Sequence, residues 1–429
     1  MFEFRRKNIM SKNIKISGQP ILCQLFSFIP KELIAQAVEL YKSDHYYKTM
    51  TTRKQLAFLL YGVITRTNSL QSLCKSLLFL EDKLLYMGID KLPPPSTLSD
   101  ANIKRNSEVF GEIYRLLLEH YKDCLFGTDF SLPINGEVDP ADVKLLDATT
   151  ITLFVDIFRA AGRPPLNGKQ KGGLKIHAQM PLGSGVPDLV RITEASSNDR
   201  NFLGQLHPTP GIIYVFDKGY LSFFVYDRWT KEDVYYVTRL NENATYNVLE
   251  STAYDLLEYT SGGVIRDEIV EFTLLKQEVG LKARLITYKD PFTGEILQFF
   301  SNMFHLKAST IPMLYKNRWS MEILFKRLKG NFELRYFYSD SSEGIKSQIW
   351  IALIAHLLFS VIHKQVKESE QFVTLVAMAS NNLGSYICFI SLVTTRQKLT
   401  ASQRDVKQIQ LDMFDLKRRG GFGNVEKSP

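Results

Sequence analysis

Asp147, Asp217 and Glu322 are the acids whose surroundings suggest chemistry. Glu322 lies in Tyr315-Lys316-Asn317-Arg318-Trp319-Ser320-Met321-Glu322-Ile323-Leu324-Phe325-Lys326-Arg327-Leu328-Lys329, whose apolar spacing predicts a helix. At roughly 100° per residue, Tyr315, Arg318, Glu322 and Lys329 share one strip about 60° wide, with Met321, Leu324 and Leu328 turned towards a core. A carboxylate between two cations on a helix also arises as plain surface pairing, worth about 0.2–0.5 kcal/mol. Asp147 ends the apolar run from Val143 to Leu146, and Asp217 ends the run from Ile212 to Phe216. Either aspartate alone reads equally well as a turn cap. A carboxylate at the end of a buried strand is nevertheless costly to keep charged unless a cation compensates it. Two of them on adjacent strands, facing a carboxylate-bearing helix, make an all-oxygen donor set suited to Mg²⁺ or Mn²⁺.

These residues need a sheet and a helix to hold them. Strand patterns begin at Val143 to Asp147, Leu174 to Ala178 and Leu189 to Thr193, with the turn Pro181-Leu182-Gly183-Ser184-Gly185 predicting a hairpin between the last two. A short helix from Asn198, a fully apolar strand ending at Phe216, a helix near Phe223 to Glu232 and a strand from Val234 to Thr238 follow. That order is expected of an RNase H-like mixed sheet, so the fold class is α/β. Residues 240–305 alternate apolar and polar and read as an inserted β subdomain. Helix is expected again from Thr310 to Lys329 and from Ser347 to Lys367. Residues 1–125 read as a helical domain, with the proline break at Pro93-Pro94-Pro95 inside it. The expected division is therefore 1–125, helical and DNA-binding; 126–239, first part of the core; 240–305, insertion; 306–370, second part of the core; and 371–429, a helical segment with a basic, loosely ordered tail.

Composition narrows the function classes. Hydrophobic residues make up 45% and charged residues 23%, enough apolar content for a real core. Cys23, Cys74, Cys124 and Cys388 are too scattered for a zinc site and read as reduced thiols of a cytoplasmic protein. The basic N-terminus lacks the apolar stretch of a signal peptide, and the run from Trp350 to Ile362 is short for a bilayer span and suits a buried helix, so no membrane role is expected. The net charge is +8, and residues 1–125 contribute most of it, with 18 Lys/Arg against 12 Asp/Glu. Such an excess suits docking on a polyanion, although a solvated surface needs no partner. Between Phe158 and Pro187 lie Arg159, Arg163, Lys169, Lys171 and Lys175 with no acid, a loop able to follow a phosphate backbone. His177, mid-strand, reads as packed, and Asp199 as a helix cap.

The spacing Tyr315-x2-Arg318-x3-Glu322-x6-Lys329 resembles the Y-R-E-K signature of bacterial DDE transposases of the insertion-sequence-four type. Leu145-Leu146-Asp147-Ala148-Thr149-Thr150 and Val215-Phe216-Asp217-Lys218-Gly219-Tyr220 resemble that family's two aspartate motifs, and Lys171-Gly172-Gly173-Leu174-Lys175-Ile176-His177 the segment between them. The resemblance runs from about residue 20 to 365. It implies cut-and-paste DNA transposition by an RNase H-like core, with Asp147, Asp217 and Glu322 as catalytic ligands of two Mg²⁺ or Mn²⁺ ions. It further implies that Tyr315, Arg318 and Lys329 contact DNA, joined on the loop reading by Lys171, Lys175 and Arg163. The implied partners are the element's own terminal inverted repeats and target DNA, with a homodimer in the synaptic complex, in the bacterial cytoplasm at the nucleoid. One departure concerns hairpin formation: relatives place a base-stacking tryptophan in the β insertion, and residues 240–305 have none. The competing functions are a metal-dependent nuclease without strand transfer and a DNA-binding relic that no longer cuts.

Overall fold

Residues in the central strands alternate between two cores. Leu145, Val215 and Val237 join one buried cluster, and their neighbours Leu146, Phe216 and Tyr236 join the other, as the two-residue period of a strand requires. The structure, a computed structural model, describes residues 18–126, 136–152, 173–197, 199–241, 243–254, 263–273, 280–366 and 370–393. The sheet begins with β1 (Val143–Thr152), β2 (Gly173–Pro181) and β3 (Leu189–Glu194), paired antiparallel in the order β3-β2-β1. β4 (Ile213–Phe216) runs parallel to β1, and β5 (Tyr235–Arg239) parallel to β4. This order, β3-β2-β1-β4-β5, is the RNase H-like arrangement expected from the sequence.

The strands expected in 240–305 are present as β6 (Asn247–Ala253), β7 (Val264–Thr273), β8 (Gly280–Lys289) and β9 (Ile296–Ser301). They continue the core sheet, because β9 pairs antiparallel with β5, giving nine strands in the order β3-β2-β1-β4-β5-β9-β8-β7-β6. The outermost strand, β6, is exposed along its whole length. Its Asn247, Glu250, Ser251 and Thr252 give that edge the polar character that discourages sheet-to-sheet pairing.

Helices cover both faces. On one, α9 (Asp199–Gly204) and α10 (Phe223–Lys231) close an aromatic core in which Tyr214, Phe216, Tyr226, Trp229, Tyr236 and Phe300 are buried. On the other lie α11 (Thr310–Lys316), α12 (Trp319–Asn331) and α13 (Ser342–Gln365). The single helix expected from Thr310 to Lys329 is thus two. Asn317 Nδ2 donates to the Met313 carbonyl at 2.9 Å, and the amides of Asn317, Arg318, Ser320 and Met321 bond to carbonyls only three residues back. Side-chain competition for the backbone combined with a tightened turn breaks the helix there. α13 has the length and hydropathy of a bilayer span, yet 94% of its apolar window is buried inside the fold, as a core helix requires.

Of the N-terminal helices α1 (Ile21–Ser27), α2 (Lys31–Tyr41), α3 (Thr52–Thr65), α4 (Leu70–Leu78), α5 (Glu81–Leu84), α6 (Pro95–Lys104), α7 (Glu108–His120) and α8 (Lys122–Leu125), it is α3, α6, α7 and α8 that pack against α13, with α2 and α4 laid on them and α14 (Phe372–Ser380) beside α13, α3 and α12. Thr51 caps α3 by accepting the Lys54 amide hydrogen. Gly62 lets α3 approach the core, since a Cβ there would stand 2.7 Å from the Tyr338 hydroxyl. Arg105 is the buried polar hub of this domain. It donates to the carbonyls of Ser43 and Met50, to Asp44 and to Gln55, and lies 4.1 Å over the Tyr47 ring. Arg105→Met takes that donor from all four, and only Asp44 keeps others, the Thr52 amide and hydroxyl. The substitution should lower the free energy of urea unfolding by about 3 kcal/mol, the scale of a broken buried ionic network. A loss below about 1 kcal/mol would mean that the network contributes little net stability.

Candidate active site

Strand register brings the two aspartates together. Leu146 pairs with Phe216 across the parallel β1–β4 ladder, so Asp147 and Asp217 follow side by side. By the same two-residue period they share the face of Leu145 and Val215, which carries α11 and α12. Each turns one carboxylate oxygen to the amide after it, Ala148 N–H at 2.8 Å and Lys218 N–H at 2.8 Å.

The helical strip meets them. Arg318 donates to Asp147 Oδ2 at 3.0 Å and to Glu322 Oε1 at 2.7 Å, bridging strand and helix. The Tyr315 hydroxyl donates to Asp217 Oδ1 at 3.0 Å, and its ring packs on Phe299. Two turns beyond Glu322, Lys329 Nζ donates to the Thr150 carbonyl at 2.9 Å. The break between α11 and α12 does not scatter the strip: Tyr315 and Arg318 bond to the aspartate pair, and Glu322 is tied to it through Arg318.

The electrostatics show a shortage of positive charge. Burial, with Asp217 and Glu322 adding repulsion, pushes the Asp147 carboxyl up to about 6 despite the Arg318 guanidinium and the Ala148 amide. Burial and the Asp217 charge raise the Tyr315 phenol to about 12. Partial burial lowers the Lys329 ammonium. Arg318 keeps its charge above the usual value because Tyr315, Asp147 and Glu322 outweigh the desolvation of its guanidinium, and its Nε has no hydrogen-bond partner. Among the described residues no three His, Cys, Asp or Glu side chains already stand at metal-binding spacing, since the guanidinium lies between Asp147 and Glu322. The donor set still fits a hard dication: three carboxylates, partly buried, short of compensating charge.

Other sequence candidates fall elsewhere. Lys175 is spoken for by Asp199 at 2.9 Å and the Ser197 carbonyl, so it stands apart from the strip. His177 is fully buried, bonds Thr193 Oγ1 at 3.0 Å and stacks on Phe202, and burial lowers it to about 4. It is a packed residue, as expected. Arg163 and Lys171 lie outside the described residues, as do Arg159, Lys169 and the tail beyond residue 393. Two residues escaped the sequence reading. Trp319, next to Arg318, is 61% exposed, unusual for so large an apolar ring, and its place beside the strip was the available signal. Arg66, at the end of α3, gave no signal, being a lone charge in a turn.

The chain resembles known proteins in the same region. The family described as the transposase DDE domain matches residues 139–358, just over half of the chain, and a domain of unknown function matches residues 17–90. The Sinorhizobium fredii protein y4zB, which carries a transposase name, is 27% identical over 270 residues, covering 63% of this chain and 71% of that one. The transposase for insertion sequence element IS231F of Bacillus thuringiensis subsp. israelensis is 22% identical over 319 residues, covering 59% of this chain and 65% of that one. Among solved structures, the piggyBac transposase synaptic complex with hairpin DNA aligns with a TM-score of 0.43 and 12% identity, over 89% of this chain and 82% of that chain, a likeness too loose to carry weight.

Proposed function

This chain belongs to the bacterial DDE transposases of the insertion-sequence-four type, enzymes that cleave and transfer DNA strands, and we propose that Asp147, Asp217 and Glu322 are its catalytic carboxylates. The observation that supports this most strongly is the convergence of two strand-end aspartates and one helical glutamate through Arg318 and Tyr315. In this reading the three carboxylates hold divalent ions, Mg²⁺ or Mn²⁺ and two per site, which supply activation of a water or 3′-hydroxyl and neutralise charge on the leaving oxygen.

The protein's own groups do the remaining work. Asp147 lies on β1 and Asp217 is the first residue past β4, so their spacing is set by the ladder that ends beside them. Arg318 ties Asp147 to Glu322 in the free chain and turns its planar fork to the scissile phosphate when DNA enters. Tyr315 orients the Asp217 carboxylate and blocks water on that side. Lys329, already lowered by partial burial, holds a phosphate beyond the cut. On the DNA, nicking frees a 3′-hydroxyl, its attack on the opposite strand closes a hairpin, water opens the hairpin, and the same hydroxyl attacks target DNA. Terminal inverted repeats are bound by two chains in the synaptic complex, within the bacterial cytoplasm.

Trp319 is the aromatic ring this reading assigns to base stacking in the hairpin step, in place of the tryptophan the insertion lacks. Stacking of one base is worth about 1–3 kcal/mol. Trp319→Ala should therefore reduce hairpin product about tenfold while nicking persists, measured on a labelled end duplex; unchanged hairpin yield would remove Trp319 from the step. The wider test supplies a pre-cleaved element end, Mg²⁺ and a supercoiled target. Covalent joining of end to target is expected. Nicking without joining would favour a plain nuclease, and DNA binding without either would favour a relic.

A further inference from the structure

A cleft of about 490 Å³ opens beside Lys329, lined by Arg66, Thr150, Ile151, Thr152, Lys329 and the segment from Phe332 to Arg335. Its cations come from three separate elements: Arg66 from the end of α3, Lys329 from α12 and Arg335 from the segment after it. None of the three has a carboxylate partner within ion-pair distance among the described residues. The one acid in the lining, Glu333, is buried and accepts the amide hydrogens of Arg335 and Tyr336 at 2.9 and 2.8 Å. The cleft is therefore open and carries a net positive charge.

Arg66 is held there deliberately. It ends α3 in the left-handed region, φ +57°, where glycine is the favoured residue and a side chain adds strain. Its guanidinium donates to the Gly330 carbonyl at 3.0 Å. The loop is fastened from both sides: the Glu333 amide donates to the Val63 carbonyl at 3.1 Å, and the Tyr338 hydroxyl donates to the Thr67 carbonyl at 3.0 Å. A strained, anchored arginine at the mouth of an uncompensated cationic cleft has a use for its charge.

Thr150 is three residues along β1 from Asp147, and Lys329 is seven residues along α12 from Glu322, so the cleft starts about 10 Å from the carboxylates. That is about three base-pair rises along the axis of a DNA duplex. We propose that this cleft grips the phosphodiester backbone of the DNA strand flanking the cut, and that the N-terminal helical domain supplies Arg66 to it. The inference rests on the catalytic reading above, adding a second phosphate site to the same active centre and a direct part in it for the domain over residues 17–90.

The probe is a fluorescein-labelled 30-base-pair duplex of arbitrary sequence, bound to the full chain across a salt series. Arg66→Gly removes the charge while suiting the left-handed backbone, so the variant should melt no lower than wild type. Arg66→Gly and Arg335→Ala should each weaken binding about 3- to 10-fold at 0.1 M salt and reduce the slope of log K against log salt by about 1. Arg66→Lys should restore most of the slope. Arg66→Gly with wild-type affinity and slope, in a chain that still cuts DNA, overturns the cleft and leaves the carboxylate assignment standing. A wild-type chain that neither binds the duplex in a salt-dependent way nor cuts an element end takes down both.

Discussion

Glu322→Gln should lower Mg²⁺-dependent nicking of a supercoiled plasmid carrying the element's ends by about 10²- to 10³-fold, the scale on which single groups stabilising transition-state charge act. The substitution keeps the shape of the side chain and its ability to accept from Arg318, which holds Glu322 at 2.7 Å. The site should therefore stay assembled. What it loses is the negative charge a hard dication needs, for which a neutral amide is a poor replacement. DNA binding should stay within about twofold of wild type, because removing an anion removes no phosphate contact. Equal cutting by both proteins would mean that the strip on α12 is structural and that the carboxylate assignment is wrong.

His356 sets the second large effect, on stability in acid. Its ring is fully buried in α13 between Phe332 and Phe372, and neither nitrogen has a hydrogen-bond partner. Burial, with Arg327 adding repulsion, lowers it from 6.5 to about 3. A histidine held neutral by the fold takes up its proton in the unfolded chain first. Its contribution is therefore complete above pH 6.5 and is lost progressively as pH falls towards 3. Between pH 7 and pH 4 the loss approaches about 3 kcal/mol. His356→Leu should remove that component, so the gap between urea unfolding free energies at the two pH values narrows by about that much relative to wild type. The neutral-pH stability should hold or rise, because two unpartnered nitrogens leave the core. An identical pH dependence in both proteins would show that His356 is not the group responsible.

The sequence disclosed what is local and withheld what is distant. The strip of Tyr315, Arg318, Glu322 and Lys329 was legible because helix period alone relates those positions, and the aspartates because each ends an apolar run. The antiparallel junction of β9 with β5, which makes the insertion an extension of the core sheet, has no local signature. Neither does the bond from Arg318 to Asp147, 171 residues apart. The break at Asn317 depends on one side chain capturing a carbonyl, against an apolar periodicity that runs on without pause. Lys175 looked available because its partner, Asp199, lies 24 residues away on another element. Arg66 stood outside every pattern because its position depends on a left-handed turn and on what that turn touches.

The junction of β9 with β5 has a consequence for how the protein comes into being. Both aspartates leave the ribosome well before Glu322, and the five strands that separate Asp217 from it, β5 to β9, must join the sheet before α11 and α12 can settle on its face. At roughly 5–20 residues per second, the interval is on the order of ten seconds. Throughout it the nascent chain holds two of the three carboxylates proposed here as catalytic. If Glu322 is the third catalytic carboxylate, as proposed, any fragment that ends before it lacks a complete site, and nuclease competence arrives late in synthesis, once α12 has settled on the sheet.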